Sequence, residues 1–357
     1  MRAVSPVRAR PGASVARVLI VDDSAVARAV IARAIDAHPG FVVAGSVPTA
    51  NAALAYLATA VVEFVLLDIE MPGVDGLTAL PDIIAAAPAA RVIVVSSAQN
   101  GRASGTVQAL ALGAVDRVDK PTQGGLAGGF SDRLLAKLVE LADDTAVPAP
   151  PPTTRCAVAP VPRGFNPASF DIVAIGASTG GIHALSALLR ALPVDMTLPI
   201  LITQHLPGSF MPYFAAQVAM LGGRPCDVAT DCMRVRRGRV IIAPGDAHLR
   251  CVRLSDGGAA IRLARTSSAS GCMPSVDPML SSAAEVFGAR VLAVMLSGMG
   301  RDGAEGARAV RDAGGCVLAQ DRATSVVWGM PGAVTGIAAA FLDPESIGTL
   351  IAGCRQP

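Results

Sequence analysis

Asp171-Ile-Val-Ala-Ile-Gly-Ala-Ser-Thr-Gly-Gly181 runs from an unbroken apolar stretch into glycines, and a helix-periodic stretch follows from Ile182 to Leu192. A short apolar run closed by glycine and reopened as a helix reads as the strand-turn-helix of a sheet buried on both faces. It leaves Ser178 at the mouth of the turn, facing unpaired backbone N–H groups at the positive end of a helix dipole. Negative charge developing on a bound carbonyl would be stabilised there. Three chemistries use such turns, and spacing separates them. A dinucleotide fingerprint needs G-x-G-x-x-G, and a phosphate-cradling loop needs Lys then Ser or Thr after its last glycine. Here Ala177 follows Gly176 and Ile182 follows Gly181, so neither spacing is met. Gly176-Ala-Ser-Thr-Gly180 does match the G-x-S-x-G of a nucleophile elbow, although by itself the pattern also suits an ordinary glycine-rich turn.

A nucleophile of this kind needs a base, and the chain has four histidines. His38, before Pro39-Gly40, lies far upstream and reads as a helix-end surface residue. His183 falls in the first helical turn after Ser178, where nearness in sequence does not bring the ring to the hydroxyl. His205 ends the apolar run that starts at Leu198 and so reaches the same edge of a parallel sheet as Ser178. Position favours His205, with His248, in Ala243-Pro-Gly-Asp-Ala-His248, as a supporting or structural histidine. The acid comes from Val291-Leu-Ala-Val-Met-Leu-Ser-Gly-Met-Gly-Arg-Asp-Gly303, an apolar strand running into a glycine-rich loop with Asp302 at its mouth. Glycines let backbone N–H groups close on a substrate, which makes the N–H of Met299 a candidate oxyanion donor. The other reading of Asp302 is a carboxylate bonding its own turn. The order Ser, His, Asp differs from the Ser, Asp, His of an α/β-hydrolase, so the elbow spacing does not bring that fold with it.

The first 140 residues carry a second chemistry. Val18-Leu-Ile-Val-Asp-Asp23 and Phe64-Val-Leu-Leu-Asp68 are apolar strands ending in carboxylates, with Glu70, Gly73 and Gly76 just beyond. Asp22, Asp23 and Asp68 converging at strand ends make a hard oxygen site suited to Mg²⁺. Val92-Ile-Val-Val-Ser-Ser97 ends in hydroxyls, and Val118-Asp-Lys-Pro121 carries Lys120. The metal and Lys120 can neutralise a phosphoryl group arriving on Asp68. Lys120 and Lys137 are the only lysines in a chain otherwise basic through arginine, which suggests that position 120 needs a compact ammonium.

In both halves apolar strands alternate with alanine-rich, helix-periodic stretches such as Ala27–Ile35 and Ala304–Asp312, the pattern of α/β parallel sheets covered on both faces. Between them, residues 141–168 hold Ala146-Val-Pro-Ala-Pro-Pro-Pro-Thr-Thr-Arg155 with Pro160, Pro162 and Pro167, and read as a semi-rigid tether. Residues 1–16 carry arginines and prolines without an apolar core, so they read as a disordered extension rather than a signal peptide. No segment supplies the roughly 20 apolar residues that span a bilayer, so no direct membrane insertion is expected. The seven cysteines form no Cys-x-x-Cys pair, and their odd number without a leader reads as reduced thiols of a cytoplasmic protein. A net charge of +2 gives no footprint for nucleic acid. The basic run Arg234-Val-Arg-Arg-Gly-Arg239 reads as a solvated turn before the strand Val240–Ala243 rather than a docking patch.

From residue 169 to 353 the chain resembles the catalytic domain of the chemotaxis receptor protein-glutamate methylesterases. The resemblance rests on IGASTGG at 175–181, TQHLP at 203–207, IAPGDAHL at 242–249, PSVD at 274–277, LSGMGRDGAEG at 296–306, AQD at 319–321 and GMP at 329–331. It implies that Ser178 attacks a methyl ester, that His205 is general base and acid, and that Asp302 orients His205. No cofactor is implied for this reaction. Residues 17–140 resemble a response-regulator receiver domain. That resemblance makes Asp68 the phosphoacceptor, with Asp22, Asp23, Asp68 and the Glu70 carbonyl holding Mg²⁺, Ser96 the switch hydroxyl and Lys120 the phosphate contact. The expected architecture is two doubly wound parallel-sheet domains, flavodoxin-like in the receiver and Rossmann-like in the esterase.

The resemblance implies phosphorylation-activated hydrolysis of glutamate methyl esters on methyl-accepting chemotaxis receptors, deamidation of receptor glutamines, and a chemotaxis histidine kinase as phosphodonor. It further implies that the unphosphorylated receiver covers the esterase cleft. Three positions depart from the family pattern. Arg117 stands where receivers usually carry an aromatic that swings inward. Gly271-Cys-Met precedes PSVD where a basic residue is usual, and Gly332 follows GMP where a charged one is common. The competing readings are a receiver joined to a catalytically impaired receptor-docking module, and a transcriptional regulator, for which the C-terminal half offers no basic helix-turn-helix.

Overall fold

The computed structural model describes residues 15–96, 103–120, 127–145 and 165–353. It divides into two compact units, Met1–Val147 and Pro148–Pro357. The amino-terminal extension to residue 14 and most of the proline-rich tether lie outside the described residues.

The first unit alternates strand and helix: β1 (Ala16–Val21), α1 (Ala25–Asp36), β2 (Phe41–Val47), α2 (Ala50–Leu57), β3 (Phe64–Asp68), α3 (Gly76–Ala86), β4 (Arg91–Ser96), α4 (Ala103–Leu112), β5 (Asp116–Asp119) and α5 (Ala127–Thr145). Ser24, Thr49 and Asp75 start α1, α2 and α3 by accepting the N–H of Ala27, Ala52 and Thr78, which satisfies a donor that the first helical turn leaves over. The sheet is parallel in the order β2-β1-β3-β4-β5, the flavodoxin-like order expected. Its central strands are buried on both faces, as the Val, Ile and Leu runs at 18–21, 64–67 and 92–95 require. Helix α5 runs on to Thr145, past the boundary expected at residue 140.

The second unit contains β6 (Ile172–Ala177), α6 (Gly181–Arg190), β7 (Ile200–Gln204), α7 (Met211–Gly222), β8 (Cys226–Val228), β9 (Val240–Ile242), β10 (His248–Arg253), β11 (Ala259–Ala264), α8 (Val276–Phe287), β12 (Val291–Met295), α9 (Ala304–Asp312), β13 (Cys316–Gln320), α10 (Gly329–Ala333), β14 (Ala340–Leu342) and α11 (Pro344–Ala352). Seven strands form a parallel sheet in the order β14-β13-β12-β6-β7-β9-β8. From β6 the chain winds outward to β7 on one side and later to β12 on the other. Such a reversal opens a crevice at the carboxyl ends of the three central strands. One face is closed by α8 and α9, whose Met279, Ala283, Ala307 and Val310 pack against Ile172, Ala174, Val291 and Ala293.

The reading from parallel sheets alone did not include the antiparallel hairpin β10–β11, a two-stranded sheet of its own turned at Asp256-Gly-Gly258. The Cys251 N–H donates to Ser282 Oγ of α8 at 2.9 Å, which ties the hairpin to the core. The basic run before β9 is partly neutralised in place: Arg234 pairs with Asp256 at 2.7 Å and Arg239 with Asp227 at 2.6 Å. No helix among the described residues is long and apolar enough to cross a membrane.

Candidate active site

Ser178 follows β6 directly and His205 follows β7. Register pairs Ala177 with Gln204, so the next residue on each strand emerges at the same edge. The backbone locks this arrangement: Ser178 N–H donates to Ser297 O at 3.0 Å, and His205 N–H donates to Ala177 O at 3.1 Å. Gln204 Nε2 donates to Ser178 O at 3.0 Å. Helix α6 begins immediately, with Gly180 as its cap at φ +74°, a conformation that side chains resist. The loop after β12 crosses so close that a Cβ on Gly298 would lie 2.8 Å from the Ser178 Cβ. Only glycine lets this loop pass the serine.

Asp302 lies at the far end of that loop and is buried. His205 Nδ1 is 3.2 Å from Ser178 Oγ, and His205 Nε2 is 2.8 Å from Asp302 Oδ2. An ionised carboxylate only accepts, so Nε2 carries a proton and, in the neutral ring, Nδ1 keeps the lone pair that faces the hydroxyl. Burial alone would lower the His205 pKa, but its hydrogen bond to Asp302 and the neighbouring Cys272 outweigh it and push it up to about 9. Burial works to raise the Asp302 carboxyl, yet the bonds from His205, Ser275 and Val276 hold it well below the usual carboxylate range. The sign of the pH dependence follows. A base must be neutral to take a proton, so kcat/KM for ester cleavage should climb with pH until about 9 and level off above it. A pH–rate profile already flat from pH 7 upward would contradict this.

Ser275 and Val276 complete the site without having been visible at strand ends. Ser275 Oγ donates to Asp302 Oδ1 at 2.6 Å, and the Val276 N–H at the start of α8 donates to Asp302 Oδ2 at 2.8 Å. His248 is buried behind them: its Nδ1 accepts the Ser275 N–H at 2.9 Å and its Nε2 donates to Thr266 O at 2.7 Å. Asp302 is therefore not a carboxylate bonding its own turn. His248 takes the supporting place, one residue removed from the acid. His183 lies exposed on α6, and His38, half-buried, accepts the Gly40 N–H at 3.1 Å. Met299 sits half-buried on the loop that passes Ser178, next to Gly298. The signal for Ser275 was its Pro-Ser-Val-Asp context before a helical period, which reads as a cap, yet its side chain makes no cap bond and turns to Asp302 instead.

The first unit gathers a different set. Carboxylate oxygens of Asp22, Asp23 and Asp68 lie within 4.8 Å of one another at the ends of β1 and β3. Lys120 Nζ is 2.6 Å from Asp68 Oδ2 and 2.8 Å from Asp22 Oδ2. Asp68 Oδ1 accepts the Glu70 N–H at 3.0 Å. Burial raises the Asp68 carboxyl although Lys120 pulls it down. One ammonium against three carboxylates leaves excess negative charge in a niche where Asp22 and Asp68 are 1% exposed. Asp22 Oδ2, buried, has no hydrogen-bond donor among the described residues beyond its ion pair with Lys120. These residues fit a divalent cation that prefers oxygen. Ser96, buried at the end of β4, accepts a bond from Thr106 Oγ1 at 3.1 Å. Arg117 forms an ion pair with Asp119 on the same strand face, and Lys137 pairs with Asp116 at 2.8 Å, so the second lysine fastens α5 to β5.

An acceptor-type carboxylate site in one α/β unit and a serine, imidazole and carboxylate in line in the other define a two-domain response regulator with a hydrolase as its output. The family model for the response regulator receiver domain matches residues 18–126, and the model for CheB methylesterase matches residues 173–351. Protein-glutamate methylesterase/protein-glutamine glutaminase 1 of Paramagnetospirillum magneticum is 40% identical over 94% of this chain and 95% of its own. The corresponding enzyme 2 of Caulobacter vibrioides is 40% identical over 94% of this chain and 98% of its own. The crystal structure of the Thermotoga maritima CheB methylesterase catalytic domain, 37% identical, covers 51% of this chain and 97% of its own with a TM-score of 0.49. The chain belongs to the protein-glutamate methylesterase/protein-glutamine glutaminase family.

Proposed function

We propose that the chain hydrolyses glutamate methyl esters, and deamidates glutamines, on cytoplasmic segments of methyl-accepting chemotaxis receptors, under control of phosphorylation at Asp68. The observation that carries the reading is the continuous line from Ser178 Oγ through His205 to Asp302, at 3.2 Å and 2.8 Å. His205 Nδ1 takes the hydroxyl proton as Ser178 Oγ bonds to the ester carbonyl carbon. The oxyanion formed is met by the Met299 N–H and by the amino-terminal end of α6. Collapse breaks the C–O bond, methanol leaves with the proton from His205, and a water activated by the same ring releases glutamate and restores Ser178. A glutamine side chain follows the same path with ammonia as leaving group. The intact line supports hydrolysis over a docking module without chemistry. The test is covalent labelling. A fluorophosphonate should modify Ser178 and abolish methanol release from methylated receptor, and an unlabelled serine would count against the reading.

In the receiver, Asp68 accepts the phosphoryl group from a chemotaxis histidine kinase. Asp22, Asp23, Asp68 and the Glu70 carbonyl would hold Mg²⁺, which supplies charge neutralisation to the transferring group. Lys120 meets the incoming oxygens from the other side, and Ser96 is the hydroxyl that moves toward them. Because Arg117 is already tied to Asp119, the relay at this position breaks and remakes an ion pair rather than turning a ring. Acetyl phosphate with Mg²⁺ should raise the esterase rate of the full chain, and Asp68→Asn should remove that rise while keeping the basal rate. An Asp68→Asn protein that is still stimulated would place control elsewhere.

A further inference from the structure

We propose that Cys272, His205 and Asp302 form a binding site for a thiophilic divalent cation of the Zn²⁺ class, and that its occupation switches the esterase off. One ligand atom from each residue, a thiol sulfur, a ring nitrogen and a carboxylate oxygen, lies within 4.8 Å of the other two. Two ligands of a tetrahedral zinc at the usual ~2.0–2.3 Å stand about 3.5 Å apart, so the thiol needs to close by little more than about 1 Å at most, while His205 Nε2 and Asp302 Oδ2, now 2.8 Å apart, part by under about 1 Å to admit the ion. The freedom to close is on the thiol side. Gly271 has φ +71° with open space around it, and Cys272 is half-buried in the loop before α8. Asp302 is fixed by Ser275 and Val276, and the fourth position is left for water.

Ligand chemistry chooses the ion. The receiver niche is built of carboxylates alone and suits a hard cation, whereas sulfur with imidazole favours zinc or cadmium over magnesium or calcium. Among the other described cysteines, burial pushes the Cys226 and Cys251 thiols up to about 12 and Cys316 up to about 11, and the exposed Cys232 has no two further ligand-type side chains gathered beside it. An ion shared with Asp302 binds Nε2, the ring nitrogen that faces the carboxylate. A metal on Nε2 displaces its proton, the neutral ring then carries its proton on Nδ1, and Nδ1 can no longer accept one.

Inhibition rests on the esterase reading, but binding does not, so two measurements separate them. With excess Mg²⁺ present in the full-length protein, Cd²⁺ should add one equivalent of thiolate-to-metal ultraviolet absorption that Cys272→Ser lacks. Zn²⁺ should inhibit methanol release reversibly with a chelator, each variant being normalised to its own metal-free rate. Losing an outer-shell partner alone costs about 10–100-fold in metal affinity, so Cys272→Ser should need at least that much more Zn²⁺. Cys272→His should keep the inhibition and lose the absorption. Equal absorption in wild type and Cys272→Ser would overturn the site. Cadmium bound through Cys272 with an unchanged esterase rate would overturn the switch. A protein with no esterase activity would count against the proposed function and leave the absorption to decide on the site.

Discussion

Ser178→Ala should lower methanol release from methylated receptor by about 10⁴- to 10⁶-fold while Asp68 still accepts phosphate. The size of the effect follows from geometry. Ser178 Oγ is the only atom of its residue facing His205 Nδ1, and removing it leaves a base with nothing to activate except water held without a covalent partner. The backbone is spared, because Ser178 anchors the turn through its N–H to Ser297 O and its carbonyl to Gly181 N–H, which alanine retains. Stability should therefore change by no more than a few tenths of a kcal/mol, as for substitutions away from buried networks, and thermal unfolding of the variant tests this. A variant that kept more than a small fraction of the wild-type rate would remove Ser178 from the chemistry.

Asp302→Asn should cost about 10⁴-fold in kcat with little change in the overall fold. Asp302 accepts three hydrogen bonds, from His205 Nε2, Ser275 Oγ and the Val276 N–H. An amide has one acceptor oxygen and an NH₂ that must face one of these donors. If it faces His205, Nε2 becomes the acceptor, the ring proton moves to Nδ1, and the base points the wrong way. The measurement is the pH–rate profile together with kcat: the variant should lose both the rate and the support that keeps His205 at about 9. A rate loss without a downward shift of the profile would mean that Asp302 acts only by shaping the loop.

Much of this was legible because parallel sheets put their chemistry at strand ends. Ser178, His205 and Asp302 each follow an apolar run that had to be a buried strand, and so do Asp22 and Asp68. What escaped lies where no such run points. Ser275 and Cys272 stand between a hairpin and a helix, and nothing in Gly271-Cys-Met-Pro274 says that the loop folds back over His205. His248 was read as a supporting histidine from its place after a strand-like segment, but that it begins an antiparallel hairpin needed the Asp256-Gly-Gly258 turn to be weighed as a reversal. The extent of α5 was missed because residues 141–145 are charged and helical, whereas the proline-rich composition begins only afterwards. The Arg117–Asp119 pair is an alternate-residue pair on one strand face. A reading that looked only for an absent ring passed over it.

The bond from the Val276 N–H gives Asp302 a second employment. Helix α8 has no cap from its own Ser275 side chain, and the carboxylate that steadies the imidazole also serves as the anion at that helix's positive end. Losing the acid altogether, as in Asp302→Ala, uncaps α8, at a cost of about 0.5–2 kcal/mol in folding as well as in rate. A lineage drifting toward an inert domain would pay in stability at this position before it gained anything, so natural decay of the enzyme should begin at Ser178 and leave the aspartate in place.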